Sequence, residues 1–209
     1  MVQGIPQWLR QCVCVPVALP VVTVCSLMLV HIPAVQAVNE DDLKRLIETK
    51  DCPGCDLEGA DLRRLDLSGA NLEGANLREA NFFYSILDGA NLSGADLRST
   101  NLSYTTALTL TVDINGEIFD LPARFNGADL SSSLMHYADF SGAEMVTANF
   151  QEAYIDQTDF VGTQLQDSNF TVTYVHTIDL TDANLCGSTY WAGNDYRRAC
   201  NVPVTDLGE

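Results

Sequence analysis

The sequence predicts an all-β solenoid, a chain winding repeatedly around one axis, and its spacing of residue types carries that prediction. A large apolar residue returns at every fifth position through "GADLRRLDLSGANLEGANLREANF", at Leu62, Leu67, Leu72, Leu77 and Phe82. Two positions before most of these centres stands a small residue, and directly before each stands Asp or Asn. Glycine recurs two positions after the centre, at Gly59, Gly69, Gly74, Gly89 and Gly94. A period of five fits neither the helix period of about 3.6 nor the strand period of about 2.

Two inward residues in five, one large and one small, suit a chain that turns a corner every five residues. Four such pentapeptides close one square coil, with the large residue on the axis and the small one in the tight space beside it. The glycines then sit where a corner demands positive φ, a conformation that other residues adopt at a cost. An Asp or Asn before the centre can bond the local backbone at the same corner.

In chain order, residues 1–37 contain no acid and one base, Arg10. An apolar run from Cys12 to Val30 leads to "IPAVQA", where Val35 and Ala37 place small residues as a signal peptidase requires. The prediction is a secretory signal over 1–37, cleaved after Ala37. The alternative is a membrane anchor through residues 12–30, since the run approaches the roughly 18–20 residues that span a bilayer. Cleavage leaves a chain with no membrane segment.

Residues 38–54 read as a capping helix and a lead-in loop. In "VNEDDLKRLIETK", Asn39 is the N-cap, Glu40, Asp41 and Asp42 fill the first turn, and Lys44, Arg45 and Lys50 follow. Leu43, Leu46 and Ile47 form an apolar face able to close the first coil. The "CPGC" that follows puts Cys55 at a small inward position, as a buried thiol or bridged to Cys52. A redox role for the pair lacks the surrounding βαβ pattern it needs.

The solenoid is predicted over residues 55–192. Its first block has centres from 57 to 102, nine Leu and one Phe, with Asp or Asn before nine of the ten. The second block runs from Leu130 to Tyr190 with looser chemistry, its centres including Met135, Phe140, Phe150, Phe160 and Phe170. Between centres 102 and 130 the phase is lost, and residues 105–127 are predicted to form an inserted hairpin or a distorted coil. Asn115-Gly116 is a strong hairpin signal, and a two-residue turn there pairs Val112 with Phe119 and Leu110 with Leu121. Residues 193–209 form a C-terminal cap and tail, with Trp191 large enough to lid the last coil.

After cleavage 28 acids face 10 bases. That balance excludes nucleic acid as a partner, because phosphates need a basic footprint. Four cysteines remain, Cys52, Cys55, Cys186 and Cys200, and an even count in an exported chain favours disulfides. Cys186 and Cys200 are the pair left once Cys52 and Cys55 are matched, and a bridge across that loop would contribute about 3 kcal/mol.

No nucleophile elbow, zinc-protease motif, paired zinc spacing or dinucleotide fingerprint is present, so no enzyme activity, cofactor or metal is expected. One departure from the repeat stands out. Before centres 135, 155 and 175 the Asp or Asn is replaced by Leu134, Tyr154 and Tyr174. His136, Asp156 and His176 come directly after the same centres, and Tyr137 adds a ring. A coil of twenty residues stacks these positions on one wall, as a candidate interaction face. Two rivals accompany it: the inserted hairpin packs over this wall, or His136, Asp156 and His176 form a weak metal-binding or enzymatic site. Two imidazoles two coils apart lie roughly 9–10 Å from each other by strand spacing. Bonds of about 2 Å to one zinc then become impossible.

The phased blocks over residues 55–104 and 128–192 resemble the pentapeptide-repeat proteins. The resemblance implies a right-handed quadrilateral β-helix of about six coils, roughly 28 Å long at the spacing of stacked strands, whose two ends must be covered. Exported cyanobacterial members are similar in their CPGC, their short leading helix and their far cysteine pair, which implies the thylakoid lumen or the periplasm. The expected function is a non-catalytic structural or protein-interaction module, acting on an unknown protein partner as a monomer or an end-to-end dimer. The alternative is an acidic rod that mimics DNA and binds a topoisomerase, as some members of the family do with gyrase.

Overall fold

The computed structural model describes residues 38–189. The predicted signal at 1–37 and cap at 193–209 therefore lie outside the described residues, as do Tyr190, Trp191 and Cys200, and with Cys200 the Cys186–Cys200 bridge.

The five-residue beat becomes a stack of square turns. Parallel bridges join residues 20 apart, in four ladders that start at Asp51, Asp56, Asp61 and Asp66. Each rung is short because the side chain before the centre bends the chain immediately afterwards. Asp66 Oδ1 accepts from the Ser68 N–H at 2.9 Å, Asn101 Oδ1 from Ser103 at 3.0 Å and Asp179 Oδ1 from Thr181 at 2.8 Å. The next residue then takes φ near +60°, in the left-handed region. Gly59, Gly74 and Gly94 do so without strain, and Tyr84, Tyr104, Tyr137 and Val172 do so despite their side chains. The prediction of positive φ at this position holds beyond the glycines that suggested it.

The centres fill the axis. Leu57, Leu62, Leu72, Phe82 and Leu92 are wholly buried, as are Phe140, Phe150 and Phe160 further on. In the later turns the phenyl rings stack along the axis, Phe150 on Phe170 with centroids 4.5 Å apart. Small inward positions change with them. Ala70, Ala75 and Ala80 line the early turns, whereas Thr158, Thr163, Ser168 and Thr173 line the later ones. Each of those four hydroxyls donates to a carbonyl 23 residues earlier, at 2.7–2.8 Å, so its burial leaves no polar group unpaired. Ser85 is an exception, with a buried hydroxyl that has no hydrogen-bond partner.

Three centres escape a count made in the sequence. Cys52, Ala107 and Phe125 are all wholly buried in the core. Regular repeat therefore includes residues 105–107 and 123–127, which the sequence assigns to the interruption. Across that interruption the ladders skip 33 residues, as from Asn91 to Arg124, where a regular turn takes 20. The thirteen extra residues are accommodated by a hairpin of β1 (Leu110–Ile114) and β2 (Glu117–Leu121), with the expected register, Leu110 to Leu121 and Val112 to Phe119. Asn115 and Gly116 turn at φ 57° and 86°.

Ahead of the ladders stands helix α1 (Glu40–Thr49). Asn39 caps it by accepting from the Asp41 and Asp42 N–H groups at 3.2 Å each. Leu46 is wholly buried in the same core as the centres and Leu43 packs against it. Ile47 does not join them: it is 56% exposed, so the apolar face is narrower than its three residues suggest. Cys52 and Cys55 are paired sulfur to sulfur directly beneath the helix, their Cα atoms 5.4 Å apart.

Candidate functional site

The wall predicted to differ from the others does differ. On the ladder that starts at Asp61, regular Asx residues occupy the early turns, Asp61, Asn81 and Asn101, and Leu134, Tyr154 and Tyr174 follow. Leu and Tyr have no side-chain acceptor for the backbone two residues on, and here the chain stays extended through His136 and Asp156 before it turns at Tyr137 and Gln157, with φ 56° and 51°. The result is a parallel sheet of β3 (Leu134–His136), β4 (Tyr154–Asp156) and β5 (Tyr174–Val175). Its side chains alternate as a strand requires: Met135 and Ile155 point to the core and their neighbours point out.

The outward residues before the centres are uncovered. Leu134 is 40% exposed, Tyr154 45% and Tyr174 60%. The inserted hairpin lies elsewhere, against the corner that follows the ladder starting at Asp66. A Cβ added at Gly89 would meet Leu110 Cβ at 2.6 Å and the Leu121 carbonyl at 3.1 Å, and one at Gly69 would meet Leu110 at 3.6 Å. Hairpin packing over the tyrosines, the rival expectation, is thereby overturned. Glycine is required at 89 for this close approach as well as for its φ of 66°.

Beside the tyrosines, Asp156 joins both histidines. Its Oδ2 lies 3.1 Å from His136 Nδ1 and its Oδ1 lies 3.0 Å from His176 Nδ1. The Asp156 side chain is 13% exposed and His176 is 75% exposed, so the carboxylate is a sheltered bridge between two outer rings. Thr177 Oγ1 is 3.2 Å from the same His176 nitrogen. Each Nδ1 is already engaged, which leaves the Nε2 atoms as the open positions. Among the described residues, Asp42, Cys52 and Cys55 are the group whose metal-ligating atoms fall together, within 4.8 Å. The two sulfurs there are bonded to each other.

The structure adds rings that the sequence did not single out, Phe83, Tyr84 and Tyr104, and joins them to Tyr137 and His136. Tyr84 stacks on Tyr104 with centroids 4.6 Å apart, and Tyr104 stacks on Tyr137 at 5.1 Å. Phe83 meets Tyr84 and Tyr104 edge to face at 4.7 and 5.5 Å, and His136 meets Tyr137 at 4.3 Å. These residues stand one or two positions after the centres of the same wall, so they form a second aromatic column at its corner, distinct from the position of Leu134, Tyr154 and Tyr174. Tyr84 and Tyr104 are 20 apart, but Tyr104 and Tyr137 are 33 apart. Only a count that allows for the hairpin could have aligned them.

Comparison with known proteins agrees with this architecture. The pentapeptide-repeats family model matches residues 51–78, 75–106, 123–151 and 135–171, in eight copies. The chain belongs to the pentapeptide-repeat family. Members of that family fold as right-handed quadrilateral β-helices and are in general non-enzymatic structural or interaction modules. The matches omit 107–122, the stretch that contains the hairpin.

Three solved structures are similar. The pentapeptide repeat protein Rfr23 from the cyanobacterium Cyanothece 51142 has 23% identity and a TM-score of 0.35, covering 71% of this chain and 92% of its own. HetL from Nostoc sp. strain PCC 7120, involved in heterocyst differentiation regulation, has 24% identity and a TM-score of 0.26, covering 69% and 72%. A thylakoid-lumen pentapeptide repeat protein of Arabidopsis thaliana has 26% identity and a TM-score of 0.24, covering 73% and 89%. No curated protein matches the chain.

Proposed function

We propose that this protein is a non-catalytic interaction module, exported to an oxidising compartment such as a thylakoid lumen or periplasm, that binds a protein partner through its aromatic wall. The observation that carries the reading is the uncovered column of Leu134, Tyr154 and Tyr174, in register on consecutive turns and flanked by His136, Tyr137, Asp156 and His176. Tyrosine side chains have few rotatable bonds, so they lose little entropy on binding and are frequent hot spots. Export rests on the apolar N-terminal run and its small-residue ending. The Cys52–Cys55 pair supports an oxidising destination.

In this reading residues 1–37 are the signal, and residues 38–54 cap the first turn through Leu46. Residues 55–192 form a rod of about six coils at four repeats each, interrupted by the hairpin, and residues 193–209 close the far end. The test is affinity capture from the native compartment with wild type and the Tyr154→Ala Tyr174→Ala variant. A partner retained by wild type and lost by the variant supports the reading; equal retention by both removes the wall as the site. Intact mass of native protein checks export separately, and a mass that retains residues 1–37 overturns cleavage.

The net charge of −17 favours a second reading, the acidic DNA mimic. Protein found in the cytoplasm, where topoisomerases work, would favour it over the first.

A further inference from the structure

At the N-terminal end of the aromatic column lies a recess of about 420 Å³ lined by Asp61, Arg63, Arg64 and Phe83. It occupies the same corner as the stacked rings, one turn before Tyr84. Its electrostatics are unusual for a chain of net charge −17. Arg63 is committed to Asp61, which accepts from Nε and Nη2 at 2.6 Å each. That fork cancels both charges. The Arg64 guanidinium is exposed and makes no hydrogen bond or ion pair among the described residues. One uncompensated cation therefore faces a recess whose other wall is the phenyl ring of Phe83.

We infer that this recess receives an acidic side chain of an extended polypeptide, with an aromatic neighbour of that residue lying against Phe83, Tyr84 and Tyr104. The inference deepens the interaction-module reading and rests on it. Charge complementarity selects the acid, since Arg64 offers a local positive point on a negative surface that repels acids elsewhere. Backbone chemistry selects a side chain over a chain terminus. A terminal carboxylate is usually captured by free backbone N–H groups, and here those groups are spent. The Arg63 N–H donates to Asp61 Oδ1 at 3.3 Å and the Arg64 N–H donates to the Phe83 carbonyl at 3.1 Å. What remains is the tip of a long side chain, suited to a carboxylate held out from the partner's backbone. Single-stranded nucleic acid also stacks on aromatic columns, but it needs a basic groove along its phosphates, and one free arginine does not supply that.

The test uses two blocked peptides, acetyl-Gly-Trp-Glu-Trp-Gly-amide and its Glu-to-Gln counterpart, titrated into the isotope-labelled full chain and read by chemical shift. At low salt the Glu peptide should bind about fivefold tighter, the scale of one exposed ion pair, with shifts at Phe83, Tyr84 and Tyr104. Arg64→Gln should abolish the preference with the melting temperature unchanged, and Tyr84→Ala should weaken both peptides alike. A Glu preference that survives Arg64→Gln overturns the inference. So does tighter binding of oligo-dT than of either peptide. Should both peptides bind alike while Tyr154→Ala Tyr174→Ala still loses the captured partner, the recess fails and the interaction wall stands.

Discussion

The turns before the hairpin and those after it share one backbone path and differ in what they hang on it. Before it, Leu and Ala fill most of the interior and Asx residues line the outside of the walls, with Ile86 and Thr106 as exceptions. After it, Phe and Met join Leu and Ile on the axis, hydroxyls replace much of the alanine, one wall exchanges Asx for Leu and Tyr, and another exchanges it for Arg, Glu and Gln. The two kinds of change have different physical meanings. Inside, Ser or Thr takes the small position in several later turns, and the hydroxyls of Thr158, Thr163, Ser168 and Thr173 each find a carbonyl on the turn below. That is packing. Outside, Tyr154 and Tyr174 give up a backbone bond and gain no cover. A repeat thus separates the residues that hold the coil from those free to meet something else.

The comparison breaks most severely at the axis. Leu92→Asp puts an unpaired carboxylate in a wholly buried position, and a loss of several kcal/mol is expected by denaturant unfolding. The change should unfold the early turns. Phe150→Ala in the later block removes a ring stacked on Phe170 and in contact with Phe160, so a loss of about 3–5 kcal/mol is expected. If the later turns are as tightly packed as the earlier ones, Leu92→Ala should cost a comparable amount, within the range of about 2–5 kcal/mol for Leu. A much smaller cost for Phe150→Ala would show a loose second block.

Much of this division was legible in the sequence. Large centres, small partners and Asx turns repeat so regularly that inside and outside follow from position alone, and Asn115-Gly116 gave the hairpin register. Legibility failed where the repeat was disguised. Ala107 occupies a centre with a residue that reads as small, and Phe125 follows a thirteen-residue insertion that shifts the count. The same shift hid the continuity of Tyr104 with Tyr137. Ile47 was misplaced because a ten-residue helix standing at the end of a coil buries a narrower stripe than one lying in a bundle. The repeat alone places Arg98 on the outside, and in the structure its guanidinium forms an ion pair with Asp96 and reaches Asp129 at 3.8 Å. A charge two residues beyond an Asx can always fold back on it.

Smaller effects sharpen the account of the corners. Val172 is 50% exposed with φ 60°, which a β-branched residue adopts at a cost. Val172→Asn should therefore stabilise by about 1 kcal/mol, read as a raised unfolding midpoint. At Asp159, burial and the carboxylates of Asp139 and Asp179 raise the carboxyl above its ordinary value. Its folded-state value exceeds the unfolded one, so its charge weakens the fold near neutral pH, and protonation relieves this as pH falls. Asp159→Asn should raise the melting temperature at pH 7, and the gain should vanish in acid. Asp66 has the opposite sign. Hydrogen bonds from Ser68 and then Lys50 hold it at about 2, below the ordinary carboxylate value. Its contribution is present above the ordinary carboxylate range and is lost as pH falls toward 2.

The most direct test of the division between scaffold and surface is the melting temperature of Tyr154→Ala Tyr174→Ala, measured beside its capture of a partner. Two exposed rings that support nothing should be removable with a change within about 0.5 kcal/mol per substitution, while partner capture is lost. A destabilisation above about 2 kcal/mol, the range for lost core packing, would place the rings within the fold's own packing and contradict the account.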